Sequence, residues 1–141
     1  MAIRKMRLSD NEEIARLTAQ LGYDVEKDTI KDRLATLICL EDHQVYVAEV
    51  ESCLAGWVHI YGKHLIELEY AEIGGLVIDQ EYRKRNLGTQ LMEKCEGWAK
   101  ANRYREIRLR SGAQRTDAHK FYQKIGYQNI KSQSLFIKSI I

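Results

Sequence analysis

Apolar residues recur along this chain at two spacings, every three to four residues and every second residue, and the spacing predicts the secondary structure. Helical spacing follows the capping-box pattern Ser9-Asp10-Asn11-Glu12 and returns in residues 26–39, 86–102 and 117–125. Alternation or short apolar runs predict strands at 3–7, 45–51, 54–61, 65–78, 105–110 and a final pair within 127–138. The order β-α-α-β-β-β-α-β-α-β-β indicates an α/β fold with a sheet of mixed strand direction.

The predicted strands contain a candidate hairpin and a pair of glycines. The segments 45–51 and 54–61 are joined around Ser52-Cys53, which predicts a hairpin. The pair Gly74-Gly75 interrupts the strand 65–78, and glycine inside a strand is typical of a bulge or of an unusually close approach to the backbone.

Composition narrows the class of protein. The chain has 141 residues, a hydrophobic fraction of 45% and a net charge of +2, which predict one domain over residues 1–141 and argue against bulk nucleic-acid binding. No apolar run approaches the ~20 residues of a membrane span, and the N-terminus lacks a signal-peptide core, so a cytoplasmic protein is expected. Cys39, Cys53 and Cys95 form no Cys-x-x-Cys pair, so we expect buried free thiols and no metal site.

The most informative stretch is residues 76–98. An apolar run ends at Ile78, a turn then carries Arg83, Lys84 and Arg85, and an amphipathic helix begins near Asn86-Leu87-Gly88. Free amides and positive charge at a helix N-terminus favour a phosphate-bearing ligand. The alternative is that the three cations are an ordinary solvated turn.

Two motifs resemble those of the GCN5-related N-acetyltransferase (GNAT) superfamily. Arg83-Lys84-Arg85-Asn86-Leu87-Gly88 is similar to the pattern Arg/Gln-x-x-Gly-x-Gly/Ala, which follows a strand and opens a helix. Ala118 to Tyr127 is similar to the second motif, an alanine followed by Phe/Tyr-Tyr and then Gly-Phe/Tyr. The resemblance covers nearly the whole chain. It implies a mixed, mostly antiparallel sheet of 6–7 strands, with helices on both faces and a splay between the fourth and fifth strands.

The resemblance also implies acetyl-coenzyme A as the cosubstrate and no metal. The pyrophosphate would lie on the turn and the first helical amides, and the pantetheine arm would pair with the preceding strand. The implied binding residues are Leu76, Val77, Ile78, Arg83, Lys84, Arg85, Asn86, Leu87, Gly88 and Thr89. The chain departs from the family at Asn86, where a glycine is usual, but asparagine tolerates a positive φ at a cost of about 1 kcal/mol.

For the chemistry, the resemblance implies Tyr122 as the general acid that protonates the leaving thiolate; the alternative is a core aromatic beside Phe121. Glu72, just before Gly74-Gly75, is the candidate base, with a purely structural carboxylate and an amine that arrives neutral as the alternatives. Glu67 and Glu69 fit a solvated strand face. Arg115 fits either a contact with an anionic group or a surface salt bridge.

These residues predict an acetyl-CoA-dependent N-acetyltransferase that transfers the acetyl group directly to a primary amine, with a small molecule favoured as acceptor. The alternatives are a protein or peptide N-acetyltransferase and a non-catalytic CoA-binding or partner-binding module on the same fold. Nucleic-acid and membrane partners are not expected. Family analogy favours a homodimer.

Overall fold

The structure is a computed structural model that describes residues 1–112 and 114–141. It divides into two compact units, residues 1–109 and 110–141. The first unit contains β1 (Ala2–Lys5), α1 (Asn11–Ala19), α2 (Lys27–Ile38), β2 (His43–Val50), β3 (Cys53–His64), β4 (Glu69–Ile78), α3 (Leu87–Ala101) and β5 (Ile107–Leu109). The second unit contains α4 (Thr116–Lys124). Short 3-10 turns precede α1 and follow β4.

The strands form one sheet in the order β1-β2-β3-β4-β5. The first four strands pair antiparallel, and β5 joins β4 in parallel. The predicted hairpin is confirmed: Glu51 and Ser52 connect β2 to β3 with φ values of 48° and 72°. Two successive positive φ values are those of the tight turn whose twist matches paired strands, here made without glycine or asparagine.

The two faces of the sheet bury different helices. Val45 and Val47 belong to the core cluster that also contains residues of α1 and α2. Gly56 has the opposite orientation, since a Cβ built there would lie 3.4 Å from the Leu91 side chain of α3. Because neighbouring strand residues point to opposite faces, this alternation places helices on both sides of the sheet. The predicted α/β fold class is confirmed.

The Gly74-Gly75 pair forms both features that the sequence predicts. The β3–β4 register shifts there, because His59 pairs with Gly75 and Ile60 pairs with Ile73, which leaves Gly74 as the extra residue of a bulge. A Cβ at Gly74 would lie 2.7 Å from His59 Nδ1, and a Cβ at Gly75 would lie 2.8 Å from the Trp57 ring. Glycine is required because side chains of β3 lie directly over this backbone.

The predicted final strand pair within 127–138 is wrong. Residues 127–141 lie in no helix or strand, and the apolar side chains of Leu135, Phe136 and Ile137 are about nine-tenths exposed. The sheet therefore has five strands among the described residues instead of six to seven. A short apolar run suits a strand, but it does not supply the edge against which that strand pairs.

Two smaller predictions also fail. The capping box at Ser9–Glu12 is absent, because Asp10 instead accepts a hydrogen bond from the Arg7 amide and forms an ion pair with Arg4. Cys39 and Cys53 are exposed, and only Cys95 is a buried thiol. Each exposed cysteine lies at the end of an element, where periodicity no longer determines which side faces the core.

Candidate functional site

One edge of β4 is free over the second half of the strand. Among the described residues, β5 pairs only with 71–73, whereas β3 pairs with β4 through Ile78. Leu76, Val77 and Ile78 are therefore paired on one side only. An extended ligand can add to such an edge as a further strand. The sequence predicted a splay at this place, and the short β4–β5 pairing agrees with it.

The turn after β4 delivers free amides at the start of α3. Asn86 has φ 64° and ψ 17°, the left-handed conformation that was expected to be tolerable for asparagine. Its side chain makes no cap hydrogen bond, and Gln90 is the residue whose amide bonds back to the Asn86 carbonyl, at 3.2 Å. The amides of Leu87, Gly88 and Thr89 precede that bond. They are first-turn donors without intrahelical partners, at the positive end of the helix dipole.

Three cations precede these amides in the sequence. Arg83, Lys84 and Arg85 are all exposed, and none of them has an ion pair within residues 1–112 and 114–141. The Arg85 guanidinium lies 5.1 Å from the centre of the Tyr82 ring. Unpaired cations beside open amides have the donor set that a pyrophosphate requires.

The turn is attached to α1 through Asp79. This carboxylate is 5% exposed and accepts hydrogen bonds from Arg16 Nη1 at 2.8 Å and from the Glu81 amide at 3.1 Å. Burial alone would raise the pKa of Asp79, but these hydrogen bonds hold it below its ordinary value. Gln20 adds a second link, since its Oε1 accepts from the Gln80 amide. The ionised Asp79 therefore fixes the start of the turn.

A cavity of about 490 Å³ lies between α1, α2 and the β2–β3 hairpin. Half of the residues that line it are aliphatic: Ile14, Val25, Ile30, Leu34, Leu37 and Val45. Trp57 and His59 form the part next to the bulge, and Tyr23 and Arg33 also line it. Its volume lies within the range of small-molecule sites, roughly 300–1,000 Å³.

Aromatic side chains continue from the cavity along the same face. The His43 ring stacks on Tyr61 at 5.1 Å and on His59 at 5.2 Å, and His43 Nδ1 lies 3.0 Å from His59 Nε2. Burial lowers the pKa of His43, and burial together with the neighbouring His43 lowers the pKa of His59 to about 4. Both imidazoles are therefore neutral at pH 7, and one donates to the other.

Glu72 lies at the end of this row. Its side chain is buried, accepts a hydrogen bond from the Tyr61 hydroxyl, and lies 3.4 Å from Lys63 Nζ. Arg108 lies opposite Glu72 in the register of β4 and β5, and its guanidinium lies 4.5 Å from the centre of the Tyr70 ring. The predicted base is thus a carboxylate with a hydroxyl donor and a cation beside it.

The other predicted catalytic residue, Tyr122, belongs to the second unit. It lies on α4 with ring centres 5.1 Å from Phe121 and 6.2 Å from Tyr127. Burial raises the pKa of Tyr122, and the charge of Arg115 opposes this only in part. The phenol is therefore protonated at neutral pH. Arg115 itself is exposed and directly precedes the helix.

The described residues contain no cluster of three or more His, Cys, Asp or Glu side chains suited to a metal ion. No helix among them has the length and apolar character needed to cross a membrane.

Comparison with known proteins decides the family. The sequence matches the family described as "Acetyltransferase (GNAT) family" over residues 9–127. The chain belongs to the GNAT acetyltransferase family. A curated relative, an uncharacterised N-acetyltransferase of Methanocaldococcus jannaschii, is 29% identical over 77 residues. That alignment covers 55% of this chain and 32% of the relative, so the GNAT chain spans about a third of the relative's length.

Solved structures share the fold at low sequence identity. The apo aminoglycoside 6'-N-acetyltransferase AAC(6')-IG of Acinetobacter haemolyticus superposes with a TM-score of 0.85 at 14% identity, covering 100% of both chains. AAC(6')-Iy, in complex with the bisubstrate analogue CoA-S-monomethyl-acetylneamine, superposes with a TM-score of 0.86 at 16% identity, covering 98% of this chain and 97% of that one. These likenesses confirm the GNAT fold that the motifs predicted.

Sequence analysis missed several residues of this site. Arg16 and Asp79 lie far apart in sequence and show no motif, so only the fold brings them together. Trp57, His59 and His43 also carry no motif, and the register shift between Ala48 and Glu49 is what places His43 opposite Tyr61. No local signal in the sequence indicates that shift, so the aromatic cluster is seen only in the structure.

Proposed function

We propose that this GNAT domain is an acetyl-CoA-dependent N-acetyltransferase that transfers the acetyl group directly to a primary amine of a small molecule. One observation carries the proposal. A strand with a free edge, residues 74–78, leads into a left-handed turn at Asn86 and then into a helix whose first amides have no intrahelical partner. The exposed cations Arg83, Lys84 and Arg85 accompany it.

Coenzyme A would lie along this arrangement from the first amides of α3 to the Gly74-Gly75 bulge. With the pyrophosphate on the amides of Arg85 to Thr89, the pantetheine arm would extend along Leu76, Val77 and Ile78 towards Gly74-Gly75. The arm would run opposite to the chain direction of β4, and its thioester end would reach the bulge. Gly74 is exposed, so the backbone at that point is accessible.

The reaction requires two proton transfers. The amine nitrogen attacks the thioester carbonyl, the carbon–sulfur bond breaks, and the thiolate takes a proton from Tyr122 while the nitrogen loses one to Glu72. The raised pKa of Tyr122 supports the acid role, because the phenol keeps its proton until the thiolate departs.

Calorimetric titration with acetyl-CoA tests the proposal first. We expect replacement of Arg83, Lys84 and Arg85 by alanine to weaken binding roughly 100-fold or more, since each of the three charge-assisted contacts contributes about 1 kcal/mol. Lys94→Ala removes one exposed cation of α3, the helix that follows the turn, and is the control. Absence of acetyl-CoA binding at high micromolar concentration, or equal effects of the two variants, would contradict the proposal.

Turnover is tested separately through thiol release in the presence of amines. Tyr122→Phe removes only the hydroxyl and is expected to lower kcat by about 10² or more while it leaves acetyl-CoA affinity unchanged. An unchanged kcat would remove Tyr122 from the mechanism. Acetyl-CoA binding without thiol release for any small amine, peptide or protein would favour the non-catalytic module instead.

A homodimer is also proposed. The last residues carry apolar side chains that are about nine-tenths exposed, including Leu135, Phe136, Ile137 and Ile140. Such a segment favours burial against a second copy. Light scattering after size exclusion should give twice the chain mass, and replacement of Leu135, Phe136 and Ile137 by serine should give the monomer mass. A wild-type monomer would refute the dimer.

A further inference from the structure

We infer that the cavity between α1, α2 and the β2–β3 hairpin selects an acceptor amine with an apolar, preferably aromatic, body and one anionic group, and that it rejects polycations. An aromatic amino acid is the simplest member of this class. This inference rests on the proposed function, because it names the amine that the acetyl group would reach.

The wall of the cavity is the first argument. Its residues are predominantly aliphatic and aromatic, and within the described part of the chain no Asp or Glu lines it. Each ammonium group of a polyamine or an aminoglycoside would lose its hydration without a carboxylate in return. Such uncompensated burial of charge is costly, whereas an apolar body gains about 25 cal/mol for each Å² that it buries.

The charge at the cavity is the second argument. Arg33 of α2 lines it, is exposed, and has no ion pair within the residues that the structure describes. His59, the other basic group on the wall, is neutral at pH 7 because its pKa lies near 4. Arg33 is therefore a cation of the cavity wall with no ion pair among the described residues, and a guanidinium binds a carboxylate through two parallel hydrogen bonds.

The position of the cavity is the third argument. Trp57 and His59 lie over Gly75 and Gly74 so closely that a Cβ on either glycine would come within 2.8 Å of their rings. The same two glycines are where the pantetheine arm would end. A ligand whose ring lies against Trp57 would therefore hold its amine beside the bulge, in the same cavity that Arg33 lines.

The chain permits a binding assay that does not depend on turnover. It has two tryptophans, and Trp98, on α3, stacks on Tyr104 away from the cavity lining. In Trp98→Phe, Trp57 becomes the only tryptophan and its fluorescence reports occupancy of the cavity. Phenylalanine should change that fluorescence saturably and bind about tenfold more tightly than phenethylamine, which lacks the carboxylate. Spermidine and neamine should give no saturable change.

Arg33→Ala in the same background should remove the preference for phenylalanine over phenethylamine, because phenylalanine loses the partner of its carboxylate and the phenethylammonium no longer meets a like charge. Lys31→Ala takes one positive charge from the same helix outside the cavity and should keep the preference. Equal behaviour of the two variants, or tighter binding of spermidine or neamine, would overturn the inference.

Thiol release with the same four amines separates the inference from the proposed function. Turnover greatest with phenylalanine supports both. Turnover greatest with spermidine or neamine supports the transferase and overturns the inference. Saturable phenylalanine binding with acetyl-CoA bound and no thiol release overturns the proposed function and supports the ligand class alone.

Discussion

Mild acid should destabilise this protein through one buried histidine. His59 lies on β3, packs over Gly74 and has its Nε2 atom 3.0 Å from His43 Nδ1. Burial, with the neighbouring His43, lowers its pKa from 6.5 to about 4. The perturbation is a change from about pH 7 to about pH 5, which crosses the pKa that His59 has in the unfolded chain but not the one it has in the folded chain.

The magnitude follows from proton linkage. Between the two pKa values the unfolded state binds more protons than the folded state, so the free energy of unfolding falls as the pH falls. At about pH 5 the unfolded His59 is almost fully charged and the folded one is about nine-tenths neutral. The expected loss between about pH 7 and about pH 5 is about 2 kcal/mol from this residue alone.

Urea unfolding at both pH values measures the loss, and His59→Gln isolates it. Carboxylates also titrate in this range, but they are common to both proteins. Their contribution therefore cancels when the loss of unfolding free energy of His59→Gln is subtracted from that of wild type. His64→Gln is the control of opposite sign, since hydrogen bonds from His64 to Asp42 and Glu69 raise its pKa and its protonation favours the folded state. The reasoning is refuted if the loss of unfolding free energy between about pH 7 and about pH 5 differs by less than about 0.5 kcal/mol between wild type and His59→Gln.

Substitutions at four further sites test the architecture. Gly62→Ala should destabilise the fold by about 2 kcal/mol, because its Cβ would overlap the Asp42 carboxylate and the Tyr104 hydroxyl. Gly97→Ala, with nothing within 4 Å, should stabilise the fold by about 0.5–1 kcal/mol in urea unfolding. Asn86→Ala should cost about 1 kcal/mol at its left-handed φ, and Asn86→Gly should cost less; equal losses would contradict the strain argument. Arg16→Ala should lower the free energy of unfolding by about 1–2 kcal/mol and weaken acetyl-CoA binding. Unchanged affinity in calorimetry would show that the turn keeps its conformation without the hydrogen bond from Arg16 to Asp79.

The turn between β4 and α3 was predictable because its signals are local. A strand that ends at Ile78, three cations and a helix start within ten residues are visible in the sequence, and the structure reproduces them with Asn86 in the expected left-handed conformation. The Gly74-Gly75 bulge was predictable for the same reason. Glycine has few other uses inside a strand.

The cavity was not predictable, because it depends on residues from four elements. Arg33 is one of several charged residues on α2, and only the packing of that helix against the hairpin brings it to the cavity. The final strands failed for a related reason. Residues 127–138 include the short apolar run Leu135-Phe136-Ile137, which is typical of a strand, but pairing requires an edge, and the sequence does not specify which edge is available.

The cavity bears on whether transfer needs a dedicated base. An apolar wall with a guanidinium nearby disfavours an ammonium, so it lowers the pKa of a bound amine and supplies the nucleophile partly neutral. Glu72 accepts a hydrogen bond from Tyr61 and lies beside Lys63, and it would then need to remove a proton from only part of the bound amine. Glu72→Gln should therefore lower kcat with phenylalanine less than Tyr122→Phe does, and its deficit should shrink as the pH rises, because a larger fraction of the amine arrives neutral. A pH-independent deficit at least as large as that of Tyr122→Phe would show that Glu72 removes the proton in every turnover.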